Sequence, residues 1–143
     1  MTAAVLDASL IAKLVFPEAG ADQAEALVGD LVRRRAALHA PDLLFAELAN
    51  LGWKKVRRGQ ATSGAARGLL RVARTLGLRS WPSADLADGA LEIALRLDCS
   101  AYDALYLALA DHLGATLYTA DRRLGTIVQG SPLAGRVLVP GRG

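Results

Sequence analysis

Four acidic residues stand where their surroundings give little reason for an acid. Asp7 closes the apolar run Ala3–Leu6, and Asp121 follows the run Ala115–Thr119 by two residues. Glu47 lies on an apolar stripe with Leu43, Leu44, Leu48 and Leu51, and Asp103 stands between Tyr102 and the run Leu105–Ala110. A carboxylate on such a stripe suffers a desolvation penalty unless something compensates it. Four carboxylates gathered with no lysine among them repel one another unless they are solvated, protonated or holding a cation. With no converging His or Cys, such a set suits hard ions, Mg²⁺ or Mn²⁺, better than softer metals. These ions serve phosphate chemistry, lowering the pKa of a water and polarising a phosphoryl oxygen. Each acid also has a plainer use. Asp7 and Asp121 precede helical patterns, where Asp is a favoured cap, and Asp121 with Arg122 and Arg123 also reads as a surface turn. Glu47 at the edge of its stripe reaches water, and Asp103 in a first helical turn complements the helix dipole. One metal site accounts for all four acids at once.

The elements that must gather them are short apolar runs separated by helical patterns, the signature of a parallel sheet joined by crossover helices. Strands are expected at Ala3–Leu6, Ala115–Thr119, Leu78–Trp81 and Val137–Val139, with a weaker one at Ala37–His39. Asp7 and Asp121 would then share the carboxyl edge of the sheet, where open α/β folds bind ligands. Ala8–Val15 reads as a short helix stopped by Phe16-Pro17, and Asp22–Arg35 as the next, with Ala24, Leu27, Val28 and Leu31 inward. Pro41 is expected in the first turn of a helix carrying Leu44, Leu48 and Leu51 and ending near Gly59. Thr62 or Ser63 would cap the following helix, which stops at Gly77. Ser83 would cap Ala84–Leu97, with Leu91, Ile93, Ala94 and Leu97 apolar. Ser100 would start Ala101–Leu113, ended by Gly114, with Tyr102, Leu105, Tyr106, Leu109 and Leu113 on its buried side. The expected class is α/β, with one layered domain over residues 1–143.

Composition narrows the alternatives. The chain has 143 residues, 52% of them apolar and 22% charged, which excludes a disordered or collagen-like chain. The longest stretch without a charge, Leu124–Gly135, falls well short of the roughly 20 residues of a membrane span. No basic leader precedes an apolar region at the N-terminus, so the cytoplasm is the expected compartment. Cys99 is the only cysteine, and with His39 and His112 it makes neither a bridge nor a zinc motif. The net charge is only +3, but between Leu48 and Ala84 every charged residue is basic. Lys54, Lys55, Arg57 and Arg58 follow Glu47, and Arg67, Arg71 and Arg74 recur at helical steps. They would guide a nucleic-acid backbone, or form a solvated helix face. A codon bias towards Ala, Leu and Arg also explains arginine-rich usage. Trp53 and Trp81 are read as packing residues before base-stacking ones. His39, His112 and Cys99 are read as bystanders.

Taken in order, four segments resemble the PIN-domain nucleases, and more narrowly the VapC-type toxins. Val5-Leu6-Asp7-Ala8-Ser9 is similar to the family's first strand, first acid and following hydroxyl residue. Pro41–Asn50 resembles the segment carrying its glutamate, Tyr102–Ala110 the helix with its third acid, and Thr119–Leu124 its last acidic motif. The resemblance covers nearly the whole chain. It implies a three-layer α/β/α fold around a mainly parallel sheet of about four or five strands. It also implies an endoribonuclease in which Asp7, Glu47, Asp103 and Asp121 hold Mg²⁺ or Mn²⁺, with Ser9 and Thr119 orienting a carboxylate or a water. Lys54, Lys55, Arg57, Arg58, Arg122 and Arg123 are the expected RNA contacts. The expected partners are an antitoxin that covers the site, inserting a basic side chain among the carboxylates, and a second copy of the chain in a homodimer. Where some relatives carry a further acid, this chain has Arg122 and Arg123, so one strong metal site is expected. Two other readings stay open. Asp7 after an apolar strand suits an aspartyl-phosphate phosphohydrolase, although the usual second acid is Ser9 here. A non-catalytic RNA-binding module is the third.

Overall fold

The computed structural model describes residues 2–141. Strands β1 (Ala3–Leu6), β2 (Ala37–Pro41), β3 (Arg79–Trp81), β4 (Thr116–Tyr118) and β5 (Val137–Leu138) form one sheet in the order β3-β2-β1-β4-β5. Every neighbouring pair is parallel. Parallel pairing obliges each connection to cross over the sheet, and the helices supply those crossovers. They are α1 (Ala8–Val15), α2 (Ala21–Arg33), α3 (Leu43–Arg57), α4 (Ser63–Thr75), α5 (Ser83–Leu97), α6 (Ala101–Leu113) and α7 (Arg122–Ile127). A 3-10 turn at Ala134–Arg136 leads into β5.

The central strands β1, β2 and β4 are short and mostly apolar because both of their faces are covered. Val5 and Leu117, which lie opposite each other in the ladder, join a large core with Ile11, Leu44, Leu48, Leu69, Leu107 and Leu109. Ala4, Leu6 and Leu38 meet Leu10, Ala24, Val28 and Leu31 of α1 and α2 on the other face. The result is the three-layer α/β/α fold. The order of the sheet reverses at β1, which has β2 on one side and β4 on the other. That reversal opens a crevice beyond the carboxyl ends of β1 and β4.

Several local expectations need correction. Pro41 is the last residue of β2 rather than the first turn of a helix. The β1 ladder has already ended at Val5 and His39, so the missing N–H of Pro41 costs no bond there. Ser83 does not cap α5: its N–H and hydroxyl both donate to the carboxylate of Asp42, tying the start of α5 to the start of α3. Tyr102 is 65% exposed and Leu91 also faces outward, whereas Ala104–Ala110 are buried in an unbroken run. Helix α6 packs on α5 and on three strands, so between Ala104 and Ala110 it has no solvent face. Trp53 is 54% exposed with the Arg57 guanidinium over its ring, not packed inside. Trp81 is the packed one: its indole N–H donates to Nδ1 of His39 and its edge meets His112. His39 is buried, and that burial depresses its pKa, keeping it a neutral acceptor.

Candidate active site

Each acid reaches the crevice on its own element. Asp7 is the first residue after β1, where the chain turns into α1; its Oδ1 accepts the Leu10 N–H at 3.0 Å and so caps that helix. Asp121 follows β4 and caps α7 by accepting the Arg123 N–H at 3.0 Å. Glu47 comes from the second turn of α3, and Asp103 from the first turn of α6, whose cap is Ser100. Asp7 and Asp121 therefore each close a helix and also line the crevice. All four acids line one cavity of about 290 Å³, together with Ala8, Ser9, Asn50, Leu51, Lys54 and Tyr106.

Asp7 is the deepest, with only 7% of its surface exposed. Ser9 Oγ donates to its Oδ1 at 2.7 Å, and the Thr119 hydroxyl donates to its Oδ2. Those two hydroxyls are in turn fixed by backbone, Ser9 accepting from Ala120 N–H and Thr119 from Asp121 N–H, each at 3.0 Å. The first turn of α1 and the segment after β4 are thereby stitched across the crevice, with Asp7 held in one rotamer. Burial pushes its pKa up to about 6, against the pull of these donors, and the nearby charge of Glu47 adds to the rise. Glu47 is half-buried and also titrates above its usual range through burial, offset by the Tyr106 hydroxyl that donates to it at 2.5 Å. Tyr106 itself is held firmly as a phenol by burial and by that carboxylate. At the rim, one Nη2 of Arg123 donates to Asp103 Oδ2 at 2.7 Å and to Asp121 Oδ2 at 3.1 Å.

The donors in this cavity are oxygens, with excess negative charge at depth, and such a set fits a hard divalent ion. Among the described residues no three His, Cys, Asp or Glu side chains stand as a ready ligand set. Each carboxylate is instead turned onto a protein donor: hydroxyls for Asp7, Tyr106 for Glu47, and Arg123 for Asp103 and Asp121.

Of the six basic residues singled out from the sequence, only Lys54 lines the cavity. Lys55 is committed to Glu18 at 3.0 Å, and Arg57 to Trp53. Arg58 ends α3, and Arg122 lines a separate hollow with Lys13 and Gln23. Asn50 and Tyr106 were missed as site residues. Their spacing carried the signal: Asn50 is three residues beyond Glu47, and Tyr106 three beyond Asp103, so each shares its acid's helix face.

A family model for the PIN domain matches residues 4–128 of the chain. Over 124 residues the chain is 37% identical to "Ribonuclease VapC3" of Pyrobaculum aerophilum, covering 84% of this chain and 90% of that one. A crystal structure of another protein from Pyrobaculum aerophilum superimposes with a TM-score of 0.68 at 27% identity, over 91% of this chain and 82% of the other. A toxin–antitoxin complex from Klebsiella pneumoniae shares the fold, with a TM-score of 0.64 at 16% identity over 98% and 99% of the two chains. On the sheet order, the matched residues and this similarity, the chain belongs to the PIN domain family, among its VapC ribonucleases.

Proposed function

We propose that this chain is the toxin of a toxin–antitoxin pair, an endoribonuclease that hydrolyses RNA phosphodiesters with a divalent cation. The observation that carries the reading is the gathering of Asp7, Glu47, Asp103 and Asp121, from four separate elements, around one cavity at the sheet's reversal point. These four residues would hold Mg²⁺ or Mn²⁺. Such an ion, when bound, polarises a phosphoryl oxygen and makes water a competent nucleophile at neutral pH.

The chain's own residues prepare that chemistry. Ser9 and Thr119 fix the orientation of Asp7, and Tyr106 fixes that of Glu47. Lys54, on the same face of α3 as Glu47 and Asn50, offers a cation to a backbone phosphate at the cavity mouth. Arg67, Arg71 and Arg74 form an exposed basic row on α4 that extends this attraction. Both oxygens of Asp7 already accept protein donors, and the position two residues on is Ser9, which counts against an aspartyl-phosphate reaction. The similarity to a toxin–antitoxin complex supports an antitoxin partner. Outward-facing Leu91, Leu95 and Tyr102 support self-association as a homodimer.

The test is cleavage of a mixed RNA pool with Mg²⁺ or Mn²⁺, beside an EDTA control and an Asp7→Asn protein purified identically. Cutting that needs both the ion and Asp7 is expected. Cutting that survives in the variant would be contamination, and RNA that is bound but never cut by the parent would leave a binding module.

A further inference from the structure

The cavity balances its charge in two different ways. Asp7 and Glu47 lie deep and accept hydroxyl donors. Asp103 and Asp121, at the rim, share a single guanidinium from Arg123. That residue is doubly tied to Asp121, whose Oδ1 takes the Arg123 backbone N–H while Oδ2 takes its side chain. The Arg123 side chain is nevertheless 58% exposed. A half-exposed ion pair is weak and exchangeable.

We infer that Arg123 is a built-in counterion that competes with the divalent cation for Asp103 and Asp121. This rests on the reading of the cavity as a cation site. Coordination needs carboxylate lone pairs, and Arg123 Nη2 already occupies one oxygen on each rim acid. Its grip keeps the two rim acids on a protein donor, as the hydroxyls do for the two deep ones. Arg123 therefore has two positions: on the rim acids when no ion is bound, and released towards solvent at the cavity mouth when one is. A released guanidinium there is placed for an RNA phosphate, so the ion and the substrate both favour the same displacement. The neighbouring Arg122 is the internal control. It carries the same charge one residue away, but lines a different hollow and touches none of the four acids.

The experiment is Mn²⁺ binding by isothermal calorimetry to the full chain, for the parent, Arg123→Gln, Arg122→Gln and Asp7→Asn. Arg123→Gln is expected to bind Mn²⁺ roughly twofold to fivefold more tightly than the parent, the range an exposed pair can supply. Arg122→Gln should differ by less than twofold, and Asp7→Asn should bind weakly or not at all. Far-ultraviolet circular dichroism of each variant confirms that it is folded. Equal affinity in the parent and Arg123→Gln would overturn the competition, as would equal tightening by Arg122→Gln, which would reduce it to net charge. No Mn²⁺ binding by any folded protein would remove the cation site itself, and the counterion with it.

Discussion

Asp7 illustrates how much a single side chain is asked to do. It caps α1, receives one hydroxyl from that helix and another from the segment after β4, and is buried beside a second carboxylate. Its pKa in the folded chain is raised to about 6 from an ordinary 3.8, chiefly by burial. As pH rises from about 4 the unfolded chain loses this proton first, and the folded chain follows only near 6. The folded state therefore binds the proton more tightly, and the metal-free protein loses this one contribution to its stability across that window, all of it by about pH 7. At one unit per 1.36 kcal/mol, the cost at neutral pH is of the order of 3 kcal/mol. Asp7→Asn removes the charge while keeping the cap acceptor. We expect the variant to be inactive, yet more stable than the parent without metal at pH 7 by up to about 3 kcal/mol, with the gain vanishing near pH 4. Urea denaturation at both pH values in EDTA measures it. A variant less stable than the parent at pH 7 would mean that the hydroxyl donors already compensate the buried charge.

At the scale of elements, the joint between α3 and α4 decides where Glu47 sits. Gly52 makes that joint close: a Cβ there would lie 3.1 Å from the Ala66 Cβ and 3.3 Å from Leu69 Cδ1. Both partners belong to α4, and Leu69 is fully buried. Gly52→Leu should force the helices apart and cost about 1–3 kcal/mol, seen as a lower urea midpoint with an unchanged slope. Cleavage should fall further than the loss of folded protein explains, because α3 carries Glu47. The elements themselves were largely legible in the sequence. Buried parallel strands leave short apolar runs, and Thr62, Ser100 and Gly114 mark helix ends by local chemistry. The four acids were legible for the same reason, each being conspicuous against apolar neighbours. Pro41 misled because proline suits a strand end as well as a first helical turn. Tyr102 and Leu91 misled because a helical stripe fixes a face but not which neighbour covers it. The roles of Tyr106 and Arg123 depend on pairs of elements meeting across the crevice, which no local pattern encodes.

For the molecule as a whole, a cation held by the folded chain alone stabilises it by mass action. With free Mn²⁺ at about a hundredfold over Kd the gain is about 2.7 kcal/mol, or roughly 5–10 °C in melting temperature for a domain of this size. The parent is expected to show this shift by scanning calorimetry, whereas Asp7→Asn should move by less than a third of it. An equal shift in both would place the ion elsewhere. The sheet order adds a constraint of timing. Asp7 directly follows the first strand and Asp121 lies in the turn after the fourth, and the hydroxyls that hold Asp7 include one supplied by Thr119. Pairings so distant in sequence form late and slowly. A polypeptide still emerging from the ribosome has Asp7, Glu47 and even Asp103 without the residues that complete their cavity. Such a fragment lacks the completed cavity, so the activity proposed for it stays silent during synthesis until β4 has docked beside β1.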